Sequence, residues 1–515
     1  MTRIARTTFL AVCLSATAPL ALAQAPNMGV IQFPTSANAK AQPHFETGLK
    51  AMYNFEFDVA LEAFRAAGKA DPDFELAAWG EAMALNHPLW SEQDQPGAIK
   101  ALARIAPTAA QRAAKTPEGK ERGLMEAVDA LYSGGDKTAR DAAYEAAMRA
   151  LSATYPDDNE IKVLHALSIL GTTRPGEGGF RKQMQAGAIA SEVLRANPQH
   201  PGAAHYVIHA FDDPEHAPLA LWAAKTFAEI APDAPHALHM PSHIYVQMGM
   251  WEGVVASNNK AFMAADALAK RLNIPRGKED FHALSWELYG NLQLGNIDAA
   301  RKNLATAYAV AKIDGSDKVL DGIASMEARF AMETELWAEA PSLADAKGEH
   351  QHETSGPHMM HAYDNNAQVK FAAGFAAAKL GRVAEAETAM ATLTAGREKM
   401  TGPSGPNYRG KVLAVYVAEL GAAIAVANKD TAGAEALLKE ATALEAQLDP
   451  PSGPPEVMKP SFEIYGEFLL AQGRAKEAAQ QFEKGLLRTP NRALAVRGLA
   501  KARAMQAQAE TLKRG

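Results

Sequence analysis

Apolar residues recur along almost the whole chain at the three- and four-residue spacings of amphipathic helices. The chain is rich in Ala, Leu, Glu, Lys and Met, which are good helix formers, and aromatic residues make up only 7% of it. Stretches rich in Gly and Pro interrupt the helical pattern at residues 171–179, 272–280, 341–366, 396–410 and 449–460. The pattern therefore predicts an all-α protein made of many helices.

A set of small residues, one Phe and one Pro recurs with matching spacing near the two ends of the chain. The first copy comprises Gly48, Ala60, Phe64, Ala67 and Pro72. The second comprises Gly466, Gly473, Ala478, Phe482 and Pro490. The spacing resembles the 34-residue tetratricopeptide repeat (TPR), in which two helices cross at small side chains and Pro ends the second helix.

The resemblance covers most of residues 41–505, and further units are marked by Gly295, Ala300, Gly374, Gly381 and Ala386. It implies a TPR-type α-solenoid, in which helix–turn–helix repeats form a right-handed superhelix. Three stretches, AAWGEAMALNHPLW, HPGAAHYVIHAFDDPEHA and PHALHMPSHI, also resemble a family of exported bacterial TPR proteins. That second resemblance implies a fold and export, but no particular activity.

The N-terminus carries the features of a secretory signal peptide. Arg3 and Arg6 precede an apolar run over residues 8–22, and Ala21-Leu22-Ala23 is a small-residue cleavage site. We expect cleavage after Ala23 and export to the periplasm. An uncleaved membrane anchor is the alternative, against which the shortness of the apolar run argues. No other stretch is expected to span a membrane.

The organisation that follows from these patterns is a series of segments. They are a signal peptide at 1–23, an N-terminal linker at 24–40, a TPR-like array with a His-rich groove at 41–340, a His-containing loop insert at 341–366, C-terminal TPR-like repeats at 367–505 and a tail at 506–515.

Composition excludes several kinds of chemistry. The only cysteine, Cys13, lies within the signal peptide, so the mature chain has no thiol for disulfides, Cys-based zinc sites or nucleophilic catalysis. The net charge is −7 with both signs mixed, which argues against a nucleic-acid partner. A metal site in this chain would have to use His, Asp, Glu, Met or Tyr.

Six of the fifteen histidines lie within residues 205–243. Pro198 and Pro232 are 34 residues apart and both fit the position that ends a repeat, so they set repeats at 201–234 and 235–268. In this register His205 and His239 share position 5, and His209 and His243 share position 9. The same His-x-x-x-His pair is thus repeated one unit later, with both rings of each pair on one helix face.

The TPR resemblance implies that positions 2, 5, 9, 12 and 13 of each first helix line the concave groove. First helices of adjacent repeats should lie about 8–10 Å apart, close enough to share ligands. The predicted metal ligands are His205, His209, His236, His239, His243, His282, Asp212 and Asp213.

Imidazoles and carboxylates without thiolate suit Zn, Cu, Ni or Fe better than Mg or Ca. Either one ion with surrounding partners or a pair of ions fits this many ligands. If the site is catalytic, a metal-bound water is the simplest nucleophile, with Asp212 or Asp213 as its base. A polar groove of neutral histidines that binds an acidic peptide is the alternative interpretation. Single histidines such as His44, His165 and His200 are expected to be solvated or hydrogen-bonded, with His165 facing a neighbouring helix.

Pro241 falls inside the first helix of its repeat, where it removes a hydrogen bond to the carbonyl of Ala237. It either kinks that helix or begins it, and in the second case His239 would lie in the preceding loop. A second group of residues at groove positions suits an organic ligand or a peptide. This predicted ligand groove comprises Trp79, Met83, Asn86, His87 and Tyr289.

Together these features predict an exported TPR protein that binds a protein, peptide or small-molecule ligand in its groove, around a His/Asp transition-metal site. The alternative is a metal-dependent hydrolase or oxidase that uses the same histidines. Three protein ligands with an open position facing a pocket would favour catalysis, whereas a saturated site would favour a structural or binding role.

Overall fold

The computed structural model describes residues 26–273, 279–343, 365–402 and 405–514. The predicted signal peptide with Cys13 lies outside these residues. So do His350, His352, His358 and His361 of the predicted loop insert.

Helices account for most of the described chain. The first half contains α1 Gln42–Tyr53, α2 Phe57–Ala70, α3 Glu75–Ala84, α4 Gln95–Ala103, α5 Ala109–Lys115, α6 Lys120–Leu131, α7 Lys137–Thr154, α8 Asn159–Leu170, α9 Arg181–Ala196, α10 Pro201–Ala210, α11 Ala217–Ile230, α12 Pro235–His239, α13 Pro241–Gln247 and α14 Trp251–Leu272. The second half contains α15 Glu279–Gln293, α16 Ile297–Ala311, α17 Asp317–Thr334, α18 Asn365–Lys379, α19 Val383–Lys399, α20 Tyr408–Ala427, α21 Thr431–Glu445, α22 Ser461–Ala471, α23 Ala475–Arg488 and α24 Ala493–Arg514, with a short 3₁₀ helix at Trp337–Glu339.

Two very short antiparallel strand pairs lie in turns of this helical array. One joins β1 Asn86–His87 to β2 Glu92–Gln93, and the other joins β3 Thr401–Gly402 to β4 Gly405–Pro406. Apart from α4 and α5, consecutive helices pack against each other from α1 to α24, as in an array of helix hairpins. The all-α, TPR-type fold predicted from the sequence is confirmed.

The repeat register is visible in where the second helices end. Helices α2, α9, α11 and α23 each end two residues before the Pro that was predicted to stop them. Because a residue that precedes Pro is driven out of the helical conformation, the chain must turn there.

The repeated spacing of Gly and Phe at the two ends of the chain has a direct packing reason. The ring of Phe64 on α2 lies between Gly48 of α1 and Gly80 of α3, where an added Cβ would approach the ring to 2.8 and 2.3 Å. Phe482 on α23 lies in the same way between Gly466 and Gly498, at 2.7 and 2.4 Å. Glycine at these positions lets one aromatic ring fill the space shared by three helices.

The segment predicted as an N-terminal linker lies extended across the array. The Val30 amide donates to the carbonyl of Gln199 at 2.9 Å, and the Asn27 amide donates to Asp233 at 2.6 Å. Met28 and Phe33 are buried against the helices. This segment therefore ties the first repeats to the α9–α12 region.

The last repeats return to contact the middle of the chain. Trp251 Nε1 donates to the carbonyl of Asn491 at 3.1 Å, across 240 positions of sequence. Arg492 is fully buried and donates to Glu333 and Glu463 at 2.7 and 2.8 Å. A buried guanidinium requires such carboxylate partners, so this network joins the C-terminal repeats to α17.

One expectation about membrane spans needs correction. Among the described residues, α20 is long and apolar enough to cross a membrane by length and composition. Most of α20 is buried between α19, α21 and the helices around them. A helix that is apolar all round is also what the centre of a helical array requires.

Pro241 divides the first helix of its repeat into α12 and α13. Met240, between them, keeps helical angles of φ −54° and ψ −34°, and its amide still donates to the carbonyl of His236. The helix is therefore interrupted in its hydrogen bonds but continues in direction. His239 remains within α12, and its ring stays one turn from that of His243.

Candidate metal centre

Six histidines from the first helices of three consecutive repeats meet inside the array. They form two groups of three, within each of which the candidate ligand atoms lie within 4.8 Å of one another. The first triad is His205, His209 and His236, and the second triad is His239, His243 and His282. Each i, i+4 pair is thus completed by one histidine from the next first helix.

The close contacts within each triad are made by Nε2 atoms. In the first triad, Nε2 of His205 lies 3.0 Å from that of His209 and 3.1 Å from that of His236. In the second triad, Nε2 of His239 lies 3.0 Å from that of His243 and 2.9 Å from that of His282. Two imidazole nitrogens bound to one ion at about 2.0–2.1 Å lie about 2.9–3.4 Å apart for right-angle to tetrahedral geometry. The spacing in both triads fits a shared ion.

The other ring nitrogen is held by an oxygen in at least three of the six rings. Nδ1 of His205 donates to the carbonyl of Tyr53 at 2.7 Å, and Nδ1 of His239 donates to Oδ1 of Asn258 at 2.6 Å. The amide nitrogen of Asn258 donates to the carbonyl of Val254, which fixes the Asn258 oxygen toward His239. Nδ1 of His243 lies 2.6 Å from Asp212. Such oxygen partners orient metal-binding histidines and place the lone pair on Nε2.

With the protons on Nδ1, hydrogen bonds alone do not satisfy the Nε2 atoms of each triad, whereas a cation would. Neutral His205 and His239 carry their proton on Nδ1, so each has one lone pair on Nε2, and two other Nε2 atoms lie about 3 Å from it. One lone pair cannot accept two well-directed N–H hydrogen bonds at the same point. An ion at the centre of each triad would take all three lone pairs.

Burial favours the neutral form of three of these rings, those of His205, His236 and His239, and the neutral form is the one that binds metal. Burial lowers the pKa of His205 to about 3 and that of His239 to about 4, although their hydrogen bonds to Tyr53 and Asn258 partly oppose the shift. Burial also lowers the pKa of His236 well below its usual value, and the neighbouring histidines lower it further. A proton is therefore a poor candidate for the cation at either triad.

The two triads lie side by side. The rings of His209 and His243 have centroids 5.8 Å apart, and those of His236 and His239 are 6.0 Å apart. Aromatic side chains enclose both triads: Phe55 lies 4.3 Å from His205, and Trp286 lies 4.6 Å from His243. A dry, aromatic surrounding of this kind strengthens electrostatic interactions with a bound ion.

The two predicted carboxylate ligands lie outside both triads. Asp212 holds the His243 ring and accepts a hydrogen bond from Gln247 at 3.1 Å. Burial raises the pKa of the Asp212 carboxyl well above its usual value, and the Gln247 hydrogen bond partly offsets this. Asp213 binds His216 at 2.9 Å and caps the turn before α11. Asp212 therefore supports a ligand, whereas Asp213 supports a turn.

A cavity of about 600 Å³ extends from the first triad toward the surface. His209, Asp212 and Asp213 lie at its inner end. Its walls come from the Gly-rich loop at 173–180, the start of α9, and a Pro-rich segment at 448–457. A space of this size accommodates a drug-sized organic molecule.

The Pro-rich segment also covers the triads. Gln247 links Asp212 to the carbonyl of Pro451, to which it donates at 2.7 Å. Gly453 packs on Trp286, where an added Cβ would come within 2.5 Å of the indole ring. At its outer end, Asp449 accepts a hydrogen bond from the Gly176 amide at 2.5 Å. The segment thus joins the cavity's two walls to the residues that hold the second triad.

The predicted ligand groove is not one surface. Trp79 and Met83 are buried, and Trp79 packs on Phe45 with centroids 6.2 Å apart. Asn86 and His87 lie in the β1–β2 turn, where His87 stacks on Phe57 at 4.0 Å. Tyr289, which is buried on α15, accepts a hydrogen bond from Arg492 at 3.3 Å. Met83 and Asn86 line one small cavity together with Phe57, on which His87 stacks, whereas Trp79 and Tyr289 do not line it.

The remaining described histidines have ordinary structural surroundings. His200 is buried and caps α10, accepting from the Ala203 amide at 3.2 Å, and its Nε2 lies 3.2 Å from Glu160. His165 is buried on α8, and its Nε2 lies 3.5 Å from a carboxylate oxygen of Glu145. His44 is exposed.

Sequence reasoning missed several residues that orient the triads. Gln247 lies four residues after His243 and therefore on the same helix face, so the sequence alone could have indicated its position near the triad. Asn258 lies on a second helix, and the Tyr53 carbonyl and Phe55 come from the first repeat of the chain. Nothing in the spacing of the histidines points to these residues, because only the closed array brings them together.

No protein-family model matches this chain, and no curated protein matches it either. Solved structures to which it is similar include yeast Tom70, with 12% identity over 91% of this chain and 96% of that one, and a TM-score of 0.35. The TPR domain of P58(IPK) has 14% identity over 92% and 99%, with a TM-score of 0.22. A human IFIT1 dimer with PPP-AAAA has 11% identity over 92% and 96%, with a TM-score of 0.38. The repeat assignment therefore depends on the helix hairpins and their Gly–Phe packing.

Proposed function

We propose that this protein binds two transition-metal ions, one in each histidine triad, and that it is a metal-dependent enzyme acting on an organic molecule in the adjoining cavity. The observation that carries the proposal is the convergence of six Nε2 atoms in two groups, at 2.9–3.1 Å within each group. Oxygen partners that hold Nδ1 of three of these rings add to it.

The donor set favours borderline metals. Six imidazoles suit Zn, Cu, Ni or Fe, whereas Mg and Ca require oxygen ligands. Among the described residues, only imidazole rings converge at the two points, and Asp212 lies behind one of them, 2.6 Å from Nδ1 of His243. Such a site would select its metal by ligand type and geometry.

Three protein ligands for each ion favour catalysis over a purely structural role. A structural site normally has four protein ligands, whereas a catalytic one leaves a position open for water or substrate. The cavity that ends at His209 and Asp212 would give an organic molecule access to that position. A ligand-binding protein without catalysis is the second candidate, and the size of the same cavity favours it.

The N-terminal pattern of residues 1–23 and the segments that resemble exported bacterial TPR proteins support export to the periplasm. N-terminal sequencing of the protein recovered from periplasmic extract tests this part. A mature chain that begins at Gln24 is the expected result, and an intact Met1 would contradict it.

Elemental analysis of the purified mature protein tests the metal centre. We expect two transition-metal ions per chain in the wild type and fewer in His209→Ala and in His243→Ala, each of which removes one ligand. His165→Ala is the matched control, because that histidine is buried but lies outside both triads. Equal metal contents in all four proteins would show that the triads are not the binding site.

A further inference from the structure

We propose that the two triads hold a pair of copper ions that binds dioxygen between them and oxidises a dihydroxybenzene in the cavity. This inference rests on the proposed function, because it names the metal and the substrate class of the same centre. Three observations carry it: the donor set, the position of the triads relative to each other, and the character of the cavity.

The donor set is all imidazole. Paired iron or manganese sites in helical proteins are built from several carboxylates, with Glu and His on facing helices. Here Asp212 contacts Nδ1 of His243 and Asp213 contacts Nδ1 of His216, so neither carboxylate lies among the converging Nε2 atoms. Neutral rings suit two singly charged copper ions better than two doubly charged ions, since the buried charge is halved. Copper also binds nitrogen ligands most tightly among the divalent metals of the first transition row.

The triads are in direct contact. Ring centroids lie 5.8 Å apart for His209 and His243, and 6.0 Å apart for His236 and His239. Two ions in adjacent three-ligand sites can be bridged by one small molecule, as metal pairs about 3.5–4 Å apart are. With three protein ligands on each ion, the remaining positions are free for the two atoms of dioxygen.

The cavity has charged as well as apolar walls. Charged side chains that line it include Arg174, Arg181, Lys182 and Glu445, which can bind the hydroxyl groups of a dihydroxybenzene. Six prolines also line it, together with Phe180 and Tyr408, and His209 forms part of its wall. Rigid rings of this kind contact an aromatic ring with little loss of side-chain freedom. A substrate that entered would therefore reach the first triad.

The electron balance closes without another reactant. Two Cu(I) ions each give one electron to dioxygen, which is reduced to peroxide as the coppers become Cu(II). Oxidation of two dihydroxybenzene molecules to two quinones releases four electrons and four protons. Two electrons complete the cleavage of the O–O bond, the other two restore Cu(I), and the four protons and two oxygen atoms leave as two waters.

The test uses the metal-free mature protein, loaded anaerobically with Cu(I) and then exposed to air. We expect two coppers per chain, an intense near-ultraviolet charge-transfer band, and no electron paramagnetic resonance signal because the two Cu(II) spins are coupled. Catechol should then be oxidised to quinone, with one dioxygen consumed for every two catechols. Isolated, paramagnetic Cu(II) or the lack of the band would overturn the copper–dioxygen inference, and a band without catechol oxidation would overturn the substrate class.

His282→Ala provides the matched variant, since it removes one ligand of the second triad and leaves the first intact. It should retain one copper per chain, which also reports that the array has folded, and after exposure to air it should give a paramagnetic signal without the band. Zinc loading separates this inference from the proposed function. Two zinc ions per chain with no coupled copper pair would overturn only the copper assignment, whereas failure to bind either metal would overturn both.

Discussion

The repeats at the ends of the chain and those in its middle place different residues at the same position of the helix hairpin. Position 24 of the repeat is Phe64 in the first unit and Phe482 near the last, and each ring fills a space left by two glycines. In the middle unit at 235–268 the same position is Asn258, whose oxygen accepts from His239. Trp286 of the next first helix packs on His239 and His243 of the second triad.

The comparison shows how a repeat can acquire a site without losing its hairpin. At the ends, a ring from the second helix inserts between first helices and maximises apolar contact. In the middle of the chain, the large ring is that of Trp286, which lies on a first helix. The second helix supplies the side-chain oxygen of Asn258, which accepts a hydrogen bond. Both arrangements keep the helix hairpin, and in the middle one the polar group of Asn258 orients the candidate ligand His239.

The largest effect on stability is expected where the aromatic ring has a purely packing role. Phe482→Ala should reduce the free energy of unfolding by about 3–5 kcal/mol, because it leaves a cavity between three helices. Metal content should not change, since Phe482 does not contact the triads. Urea unfolding with elemental analysis measures both, and Leu487→Ala on the same helix is the control because Leu487 is 78% exposed. A loss of metal in Phe482→Ala would contradict the division of roles.

The second largest effect on stability is expected when metal is removed from the triads of the middle repeats. An ion that binds only the folded centre should add about 2.7 kcal/mol at a free concentration a hundredfold above its Kd. A chelator should therefore lower the melting temperature of the wild type, and should lower that of His209→Ala or His243→Ala much less. Phe482→Ala should keep the full chelator response. An equal response in the wild type and the two triad variants would show that these histidines are not ligands.

A smaller effect, on metal affinity, is expected from replacing Asn258, which occupies position 24 of the middle repeat. Asn258→Ala removes the acceptor that holds Nδ1 of His239, and should weaken binding at the second triad by about 10- to 100-fold. Binding at the first triad should be unchanged. Competition with a chelator of known affinity measures the two sites. Asn259→Ala is the control, because this neighbouring side chain is exposed and points to Glu287.

The sequence predicted the fold because each repeat uses local signals. Small residues at the crossing, Phe64 and Phe482 at one position, and Pro after the second helix all act within about 34 residues. The six histidines followed from the same register, since an i, i+4 pair on a first helix must face one side. The sequence could also show that the pairs repeat one unit apart.

The grouping of the histidines into two triads could not be derived in the same way. The register placed His236 and His282 at equivalent positions, but the distances between first helices decide which pair each one completes. Partners such as the Tyr53 carbonyl lie more than 150 residues away. For Trp79 the repeat register was misleading. Its position predicted that it lines the groove, but its ring is buried against Phe45. These contacts form only when distant repeats come together in the folded array, so a local sequence pattern does not reveal them.

The smallest effect is expected from His165, which is buried like the triad histidines but has a carboxylate partner. Burial lowers the pKa of His165, Glu145 partly opposes this shift, and Arg149 lowers the pKa further. Because the folded pKa is below the unfolded value, the unfolded chain binds more protons, and stability falls as pH decreases below about 6.5. His165→Gln should remove this small contribution, so its stability relative to the wild type should rise between pH 7 and pH 5. Chemical unfolding of both proteins with chelator present measures it, because the triads then contribute equally to each. A relative stability that falls toward pH 5 would mean that protonated His165 is favoured in the folded state, and a change in metal content would place His165 in the centre itself.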